Sequence, residues 1–79
     1  MDRYFYKIDK SGEIKVIYRL IKDDSRKIVR ELKWESNSWV TTQDLIKMII
    51  DGDMNLEEVT KSQIDQITPF VDTSEYTGL

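Results

Sequence analysis

The stretch EIKVIYRLIK, residues 13–22, decides the fold, because its side chains separate into two sets at every second position. Over residues 14–21 one set is apolar (Ile14, Val16, Tyr18 and Leu20), and the other mixes lysine and arginine with isoleucine, as in a β-strand between two different environments. The stretch RYFYKID, residues 3–9, alternates similarly, with Phe5 on the face opposite Tyr4 and Tyr6. Asp9 favours a type I turn between them and Gly12 supplies its left-handed position, so we predict a β-hairpin.

Two more strands are predicted after this hairpin. A turn at residues 23–25 (DDS) leads into residues 27–35 (KIVRELKWE), and a turn at residues 35–38 (ESNS) leads to a short strand at Trp39 and Val40. The result is an antiparallel meander of three to four strands. Residues 27–33 also place apolar side chains at helical spacing, so a short helix stays open there.

After Thr41 the apolar residues no longer alternate as in a strand but recur at the spacing of a helix. Thr41 or Thr42 gives a capping signal, with Thr41 and Asp44 at the spacing of a capping-box variant. An apolar stripe follows, which predicts a helix over residues 42–51. Gly52 ends this helix, because glycine adopts the left-handed conformation at low cost. A polar loop is expected at residues 51–55.

A second, shorter helix is predicted over residues 61–67. Thr60 and Gln63 form a capping-box pair before it, and it ends ahead of Pro69, because the residue preceding proline disfavours helix. We expect an α+β fold in which both helices pack on one face of the sheet. Residues 1–69 then form a single domain, and residues 70–79, which lack a pattern, are expected to be a flexible tail.

The composition excludes several kinds of chemistry. The chain has 79 residues with no cysteine and no histidine, so it has no thiolate or imidazole for metal binding or for a catalytic triad. The aspartate-rich loop that begins at Asp51 lacks the glycine and the glutamate that an EF-hand needs at positions 6 and 12. We expect no cofactor, no metal site and no enzymatic activity. Without an apolar leader or a membrane-spanning run, we expect a cytoplasmic protein with no membrane partner.

Charge is divided unevenly along the chain. Residues 1–35 carry ten basic and seven acidic side chains, a net of +3, whereas residues 36–79 carry two and eight, a net of −6. The basic half also holds Tyr18 and Trp34, and basic side chains among aromatic ones can hold single-stranded nucleic acid. This alternative function uses five candidate residues: Arg19, Arg26, Lys27, Arg30 and Lys33. Acidic residues interleave with them, which weakens phosphate binding at cellular salt.

Protein binding is the function that the pattern favours. Trp34 and Trp39 share a face only if the turn between them is tight, and tryptophan is enriched at binding hot spots. With Tyr6 and Arg19 they form a candidate protein-binding surface on the sheet face or edge. The wide apolar stripe of the first helix also suggests self-association, such as a homodimer. A third hypothesis is an acidic inhibitor that imitates phosphate charge through four residues: Asp51, Asp53, Glu57 and Glu58.

Short sequence signatures spread over residues 4–67 resemble a known group of proteins. They are Tyr4-Phe5, Tyr18-Arg19, Trp39-Val40 before a leucine-containing helix, Gly52-Asp53 and Val59-Thr60. Together they resemble a group of small bacterial proteins of unknown function, although this chain is richer in lysine and isoleucine. The resemblance implies a bacterial or bacteriophage origin and implies no reaction and no site.

Overall fold

The computed structural model describes residues 2–23, 25 and 28–77, which form an antiparallel five-stranded sheet and two short helices. The elements in chain order are β1 (Asp2–Ile8), β2 (Ile14–Asp23), β3 (Ile28–Glu35), β4 (Ser38–Thr41), α1 (Leu45–Asp51), β5 (Leu56–Val59) and α2 (Lys61–Ile67). The strand order is β4-β3-β2-β1-β5, so β2 is central and β4 and β5 are the edges. The predicted α+β class is confirmed, with one strand more than expected.

The β1–β2 hairpin forms where the sequence predicted it. Asp9 organises the turn, because its Oδ1 accepts hydrogen bonds from the hydroxyl and backbone N–H of Ser11 (2.6 and 2.9 Å) and from the N–H of Glu13 (3.0 Å). The hydrogen bonds from Ser11 and Glu13 hold the pKa of the Asp9 carboxyl below its usual value. Gly12 has a φ of +86°, the left-handed conformation that the turn requires.

Strand β3 resolves the alternative between strand and helix in favour of strand. It pairs with β2 from Tyr18–Lys33 to Asp23–Ile28, and residue 27 lies outside the described residues. β3 reverses into β4 through Ser36 and Asn37, which both have positive φ (52° and 63°), as in the type I′ turn of a two-residue hairpin. This tight turn sets Trp34 directly opposite Trp39, so the two indoles share a face.

The fifth strand was not predicted. Residues after the loop at 51–55 form β5, which pairs antiparallel with β1 from Tyr4–Val59 to Lys7–Leu56. A hydrogen bond from the Ile8 N–H to the Asn55 carbonyl (2.9 Å) extends this contact. Four residues with two adjacent glutamates carry no alternating pattern, so their strand conformation depends on the free edge of β1.

Helix α1 begins later than predicted. Its N-cap is Asp44, whose side chain makes no capping hydrogen bond, so the predicted Thr41–Asp44 capping box is wrong. The backbone N–H of Ile46, in the first turn, instead donates to Oε1 of Glu31 on β3 (2.8 Å). A tertiary contact therefore replaces the local cap. Gly52 ends the helix with a φ of +68°, as predicted.

Helix α2 spans the residues predicted for it. The capping box is complete: Thr60 Oγ1 accepts from the Gln63 N–H (3.0 Å), and the Gln63 side chain accepts from the Thr60 N–H (2.8 Å). These two bonds satisfy two of the N–H groups that the start of any helix leaves free.

The two helices lie on opposite faces of the sheet, not on one face as expected. Tyr4 and Tyr6 of β1 pack with Ile64 of α2, whereas Phe5 packs with Leu45 of α1. Successive strand residues point to opposite faces, so three consecutive buried aromatics require a cover on both sides. We call these faces the α2 face and the α1 face.

Residues 68–77 contain no further helix or strand, yet they pack against the α2 face. Val71 is buried in the same cluster as Tyr4 and Ile64. The Asp72 carbonyl accepts a hydrogen bond from Trp39 Nε1 (2.6 Å), and the Ser74 carbonyl accepts one from Arg19 (2.7 Å). This segment therefore lies against the sheet, and the expected flexibility of residues 70–79 stays a prediction. Residues 78 and 79 lie outside the described residues.

Candidate functional site

The four residues of the predicted protein-binding surface all lie on the α2 face. Tyr6 pairs with Ile17, and Trp34 pairs with Trp39, while Arg19 stands beside them on β2. Tyr6 and Arg19 are buried, and the two tryptophans are half-buried. The structure therefore brings the four together but leaves only the tryptophans partly open to solvent, because α2 and residues 68–77 cover the rest.

Arg19 is the polar centre of this face. The residue is 1% exposed, and its guanidinium donates to Oδ2 of Asp2 (2.8 Å from Nε) and to the Ser74 carbonyl. The guanidinium carbon also lies 5.4 and 5.5 Å from the ring centroids of Tyr4 and Trp39. Cations are attracted to aromatic faces at such distances. Its charge is thus used within the fold and is not free for an external phosphate.

Tyr6 is held by a directed hydrogen-bond chain. The Thr68 hydroxyl donates to the Ile64 carbonyl (3.1 Å), so the phenol of Tyr6 must donate to Thr68 Oγ1, 2.8 Å away. Beside it, burial raises the pKa of the Tyr4 phenol, so Tyr4 stays neutral. Both tyrosines therefore act as structural groups of the α2 face.

The tryptophan pair forms the part of this face that reaches the surface. The rings of Trp34 and Trp39 meet edge to face, with centroids 5.2 Å apart and planes at 73°. Trp39 also contacts Tyr4, with centroids 6.3 Å apart. Because its indole N–H is bonded to the Asp72 carbonyl, Trp39 is fixed in place and Trp34 borders the open surface.

A groove lies beside Trp34 where the sheet is incomplete. Pairing between β2 and β3 stops at Tyr18–Lys33, so among the described residues no strand pairs with residues 14–17 on that side. The groove measures about 400 Å³ and is lined by residues 13–17, Trp34, Thr68 and Phe70. Phe70 is 65% exposed, which is unusual for so large an apolar side chain.

A second pocket also has Trp34 in its lining. It measures about 360 Å³, and its lining includes Trp34, Trp39, Tyr76, Asp72, Glu75 and the buried Arg19. We call it the aromatic pocket, and the first one the groove. Trp34 lines both, so the two cavities adjoin at this side chain; the groove is mostly apolar, and the aromatic pocket is acidic and aromatic.

The candidate nucleic-acid residues do not form one patch in the described part of the chain. Arg19 and Arg30 belong to the α2 face and Lys33 to the α1 face, because pairing partners share a face. Lys33 also lies 3.5 Å from Glu35. Arg26 and Lys27, the other two candidates, lie outside the described residues.

The acidic candidates are similarly dispersed. Asp53 forms an ion pair with Lys7, and Glu58 accepts two hydrogen bonds from Arg3 (2.8 and 2.9 Å). These bonds lower the pKa of both carboxyls. Asp51 and Glu57 are exposed.

The apolar stripe of α1 is used mostly inside the protein. Leu45 is fully buried, and Met48 and Ile49 pack against the same cluster. Ile50 remains 77% exposed. The width of the stripe therefore reflects the packing of α1 more than a free surface.

Sequence reasoning missed Phe70 and the open edge of β2. The sequence feature that could have indicated Phe70 was its position directly after Pro69, in a segment without hydrophobic periodicity. The open edge had no local signal, because it depends on where β3 diverges from β2.

Within the described residues, no group of three or more acidic side chains is placed to hold a metal ion, and no helix is long and apolar enough to cross a membrane. Comparisons with protein-family models, curated proteins and solved structures gave no match.

Proposed function

We propose that this protein is a non-catalytic interaction module that binds an extended segment of another protein in the groove. The observation that carries the proposal is the coincidence of an unpaired sheet edge with an exposed phenylalanine. Residues 14–17 pair with β1 on one side, but among the described residues no strand pairs with their other side, and Phe70 and Trp34 offer apolar surface beside it. Strand addition uses these two elements: backbone bonds for affinity and side-chain pockets for specificity.

The edge is short, which determines how the partner binds. The pairing of β1 with β2 changes register between Lys7 and Ile8, so β2 carries an extra residue at Lys15. Such a bulge twists the strand and interrupts regular pairing. A partner can therefore form only a few backbone hydrogen bonds, and an apolar side chain packed against Phe70 and Trp34 must supply much of the binding energy.

The polar groups of the groove favour binding over catalysis. Its ionisable side chains are Glu13 and Lys15, with Lys15 Nζ 3.5 Å from Glu13 and 3.6 Å from Asp9. Both members of the pair are well exposed to solvent. A catalytic acid or base is held in a site from which water is excluded, and this ion pair is open to solvent.

The test compares wild type with Phe70→Asp and Ile50→Asp in quantitative capture of proteins from the native host. Both substitutions put a carboxylate at an exposed apolar position, but Ile50 lies on α1, away from the groove. We expect specific partners to be recovered at least about tenfold less with Phe70→Asp, the loss of one hot-spot contact, and unchanged with Ile50→Asp.

Equal recovery with wild type and Phe70→Asp contradicts the proposal. Loss with Ile50→Asp alone would move the site to α1. Saturable binding of labelled single-stranded RNA or DNA at about 150 mM salt would instead support the nucleic-acid alternative.

A further inference from the structure

The aromatic pocket has walls suited to a cation. The perpendicular rings of Trp34 and Trp39 form a corner, and Tyr76 also lines the pocket. One cation already uses this surface, since the guanidinium of Arg19 lies 5.5 Å from the Trp39 ring centroid. Indole has the most favourable aromatic face for a cation.

The charge of the pocket is negative. The positive charge of Arg19 is balanced by its ion pair with Asp2. Asp72 accepts hydrogen bonds from the hydroxyl and the N–H of Ser74 (2.6 and 2.9 Å), which lower the pKa of its carboxyl and keep it ionised. Glu75 is exposed and has no ion pair or hydrogen bond among the described residues. Asp72 is also attracted to the nearby guanidinium of Arg19, so Glu75 is the carboxylate of the pocket that has no balancing cation among the described residues.

We propose that the aromatic pocket binds an arginine side chain of the same partner segment whose apolar residue occupies the groove. This inference rests on the proposed function and adds the chemistry of the partner. Trp34 lines both cavities, so an arginine close in sequence to the apolar residue reaches the pocket while that residue stays in the groove.

Arginine fits the pocket better than lysine. Its guanidinium is planar, stacks on aromatic rings and forms paired hydrogen bonds with a carboxylate, and it is less strongly hydrated than an ammonium group. The charge around the pocket agrees, because residues 61–77, which form α2 and the segment after it, carry one basic side chain (Lys61) and three acidic ones (Asp65, Asp72 and Glu75), a net of −2. A basic segment is attracted to this side of the molecule.

The experiment selects binders from a library of random peptides on wild type and three variants. Phe70→Asp tests the groove and Glu75→Lys reverses a charge in the aromatic pocket. Asp51→Lys makes the same change in net charge at an exposed carboxylate at the end of α1.

We expect peptides selected on wild type to share a large apolar residue and an arginine at a constant spacing. Replacing that arginine with glutamine should weaken binding about fivefold, the effect of one exposed cation–π and ion-pair contact. The peptide with lysine in place of this arginine should bind with intermediate affinity. Glu75→Lys should weaken binding of the peptide selected on wild type by a similar factor. Replacing the peptide arginine with glutamate should partly restore binding to this variant. Asp51→Lys should have little effect.

The outcomes separate the two proposals. If no selected peptide depends on Phe70, the proposed function fails. If binding depends on Phe70 but the peptides show no basic preference, and Glu75→Lys and Asp51→Lys behave alike, the groove stands and the arginine pocket is refuted.

Discussion

Two arginines of this protein occupy similar positions on opposite faces of the sheet and have different roles. Arg19 on the α2 face and Arg3 on the α1 face each form an ion pair with a carboxylate on a neighbouring strand and each lie over an aromatic ring. The Arg19–Asp2 pair has side-chain exposures of 2% and 27%, whereas the Arg3–Glu58 pair has 45% and 49%. Residues 68–77 cover the first pair, and the second is open to water.

The difference shows that the two faces are stabilised by different interactions. The buried cluster of the α1 face consists of apolar contacts around Phe5, Tyr18 and Leu45, and its Arg3–Glu58 ion pair is exposed. The α2 face combines apolar contacts with a buried guanidinium, a tyrosine–threonine hydrogen bond and an indole bonded to a carbonyl. Apolar packing tolerates small shifts, whereas buried polar groups must each keep a partner.

The largest effect is expected from removing the buried cation. Arg19→Ala should lower the free energy of unfolding by about 3 to 5 kcal/mol, because Asp2 and the Ser74 carbonyl lose their donor and two rings lose their packing partner. Arg3→Ala is the matched control and should cost less than about 1 kcal/mol, as exposed ion pairs do. Urea unfolding followed by tryptophan fluorescence measures both, and equal losses would remove the distinction between the faces.

Shortening a buried apolar side chain on the α1 face should also lower the free energy of unfolding strongly, but through lost packing and not through a lost ion pair. Leu45→Ala removes a fully buried side chain and should cost about 3 kcal/mol through lost burial and the cavity that remains. Ile50→Ala on the same helix should change stability by no more than about 0.5 kcal/mol, because Ile50 is exposed. The same urea titration applies. A small loss for Leu45→Ala would mean that α1 packs weakly on the sheet.

The hydrogen bond between Tyr6 and Thr68 tests the polar core of the α2 face with almost no change in volume. Thr68→Val should cost about 1 to 3 kcal/mol, because the Tyr6 hydroxyl is left buried without its acceptor. In the double variant with Tyr6→Phe the loss should be smaller than the sum of the single losses, since no phenol then remains to satisfy. If the losses of free energy in the two single variants add up to that of the double variant, the hydrogen bond between Tyr6 and Thr68 makes no separate contribution to stability.

The smallest expected effect is the pH dependence of stability that comes from the exposed Arg3–Glu58 ion pair. Hydrogen bonds from Arg3 lower the pKa of Glu58 in the folded protein, so its stabilisation is present above the unfolded pKa of about 4.3 and is lost as pH falls through the folded value. Urea unfolding at neutral pH and at about pH 3 should show a slightly larger loss in wild type than in Glu58→Gln, by less than about 1 kcal/mol. Identical pH dependence would mean that this pair does not stabilise the fold.

Features with a local cause were predictable from the sequence. The β1–β2 turn follows from Asp9 and Gly12, and the ends of the two helices follow from Gly52 and from the Thr60–Gln63 capping box. Each involves residues a few positions apart, whose backbone and side-chain preferences act within one turn. The approximate positions of β1 to β4 were likewise visible in alternation.

Features that depend on distant residues were not predictable. β5 is a strand because β1 offers a free edge, and α1 begins where Glu31 of β3 accepts from Ile46. The site was partly visible: Trp34 and Trp39 were identified, but Phe70 was assigned to a tail. Tyr6 and Arg19 were expected at a surface, because alternation along a strand does not indicate which segments of the chain cover each face of the sheet.

The sequence by itself determined an α+β chain with no imidazole or thiol chemistry, a central hairpin, two helix ends and a charge difference between its halves. Only the tertiary structure decided that the helices take opposite faces, that Arg19 lies buried between two rings, and that residues 14–17 keep an open edge beside Phe70. The physical reason is one of range. Turns and caps depend on near neighbours, whereas burial and edge exposure depend on segments that meet only when the whole sheet is assembled.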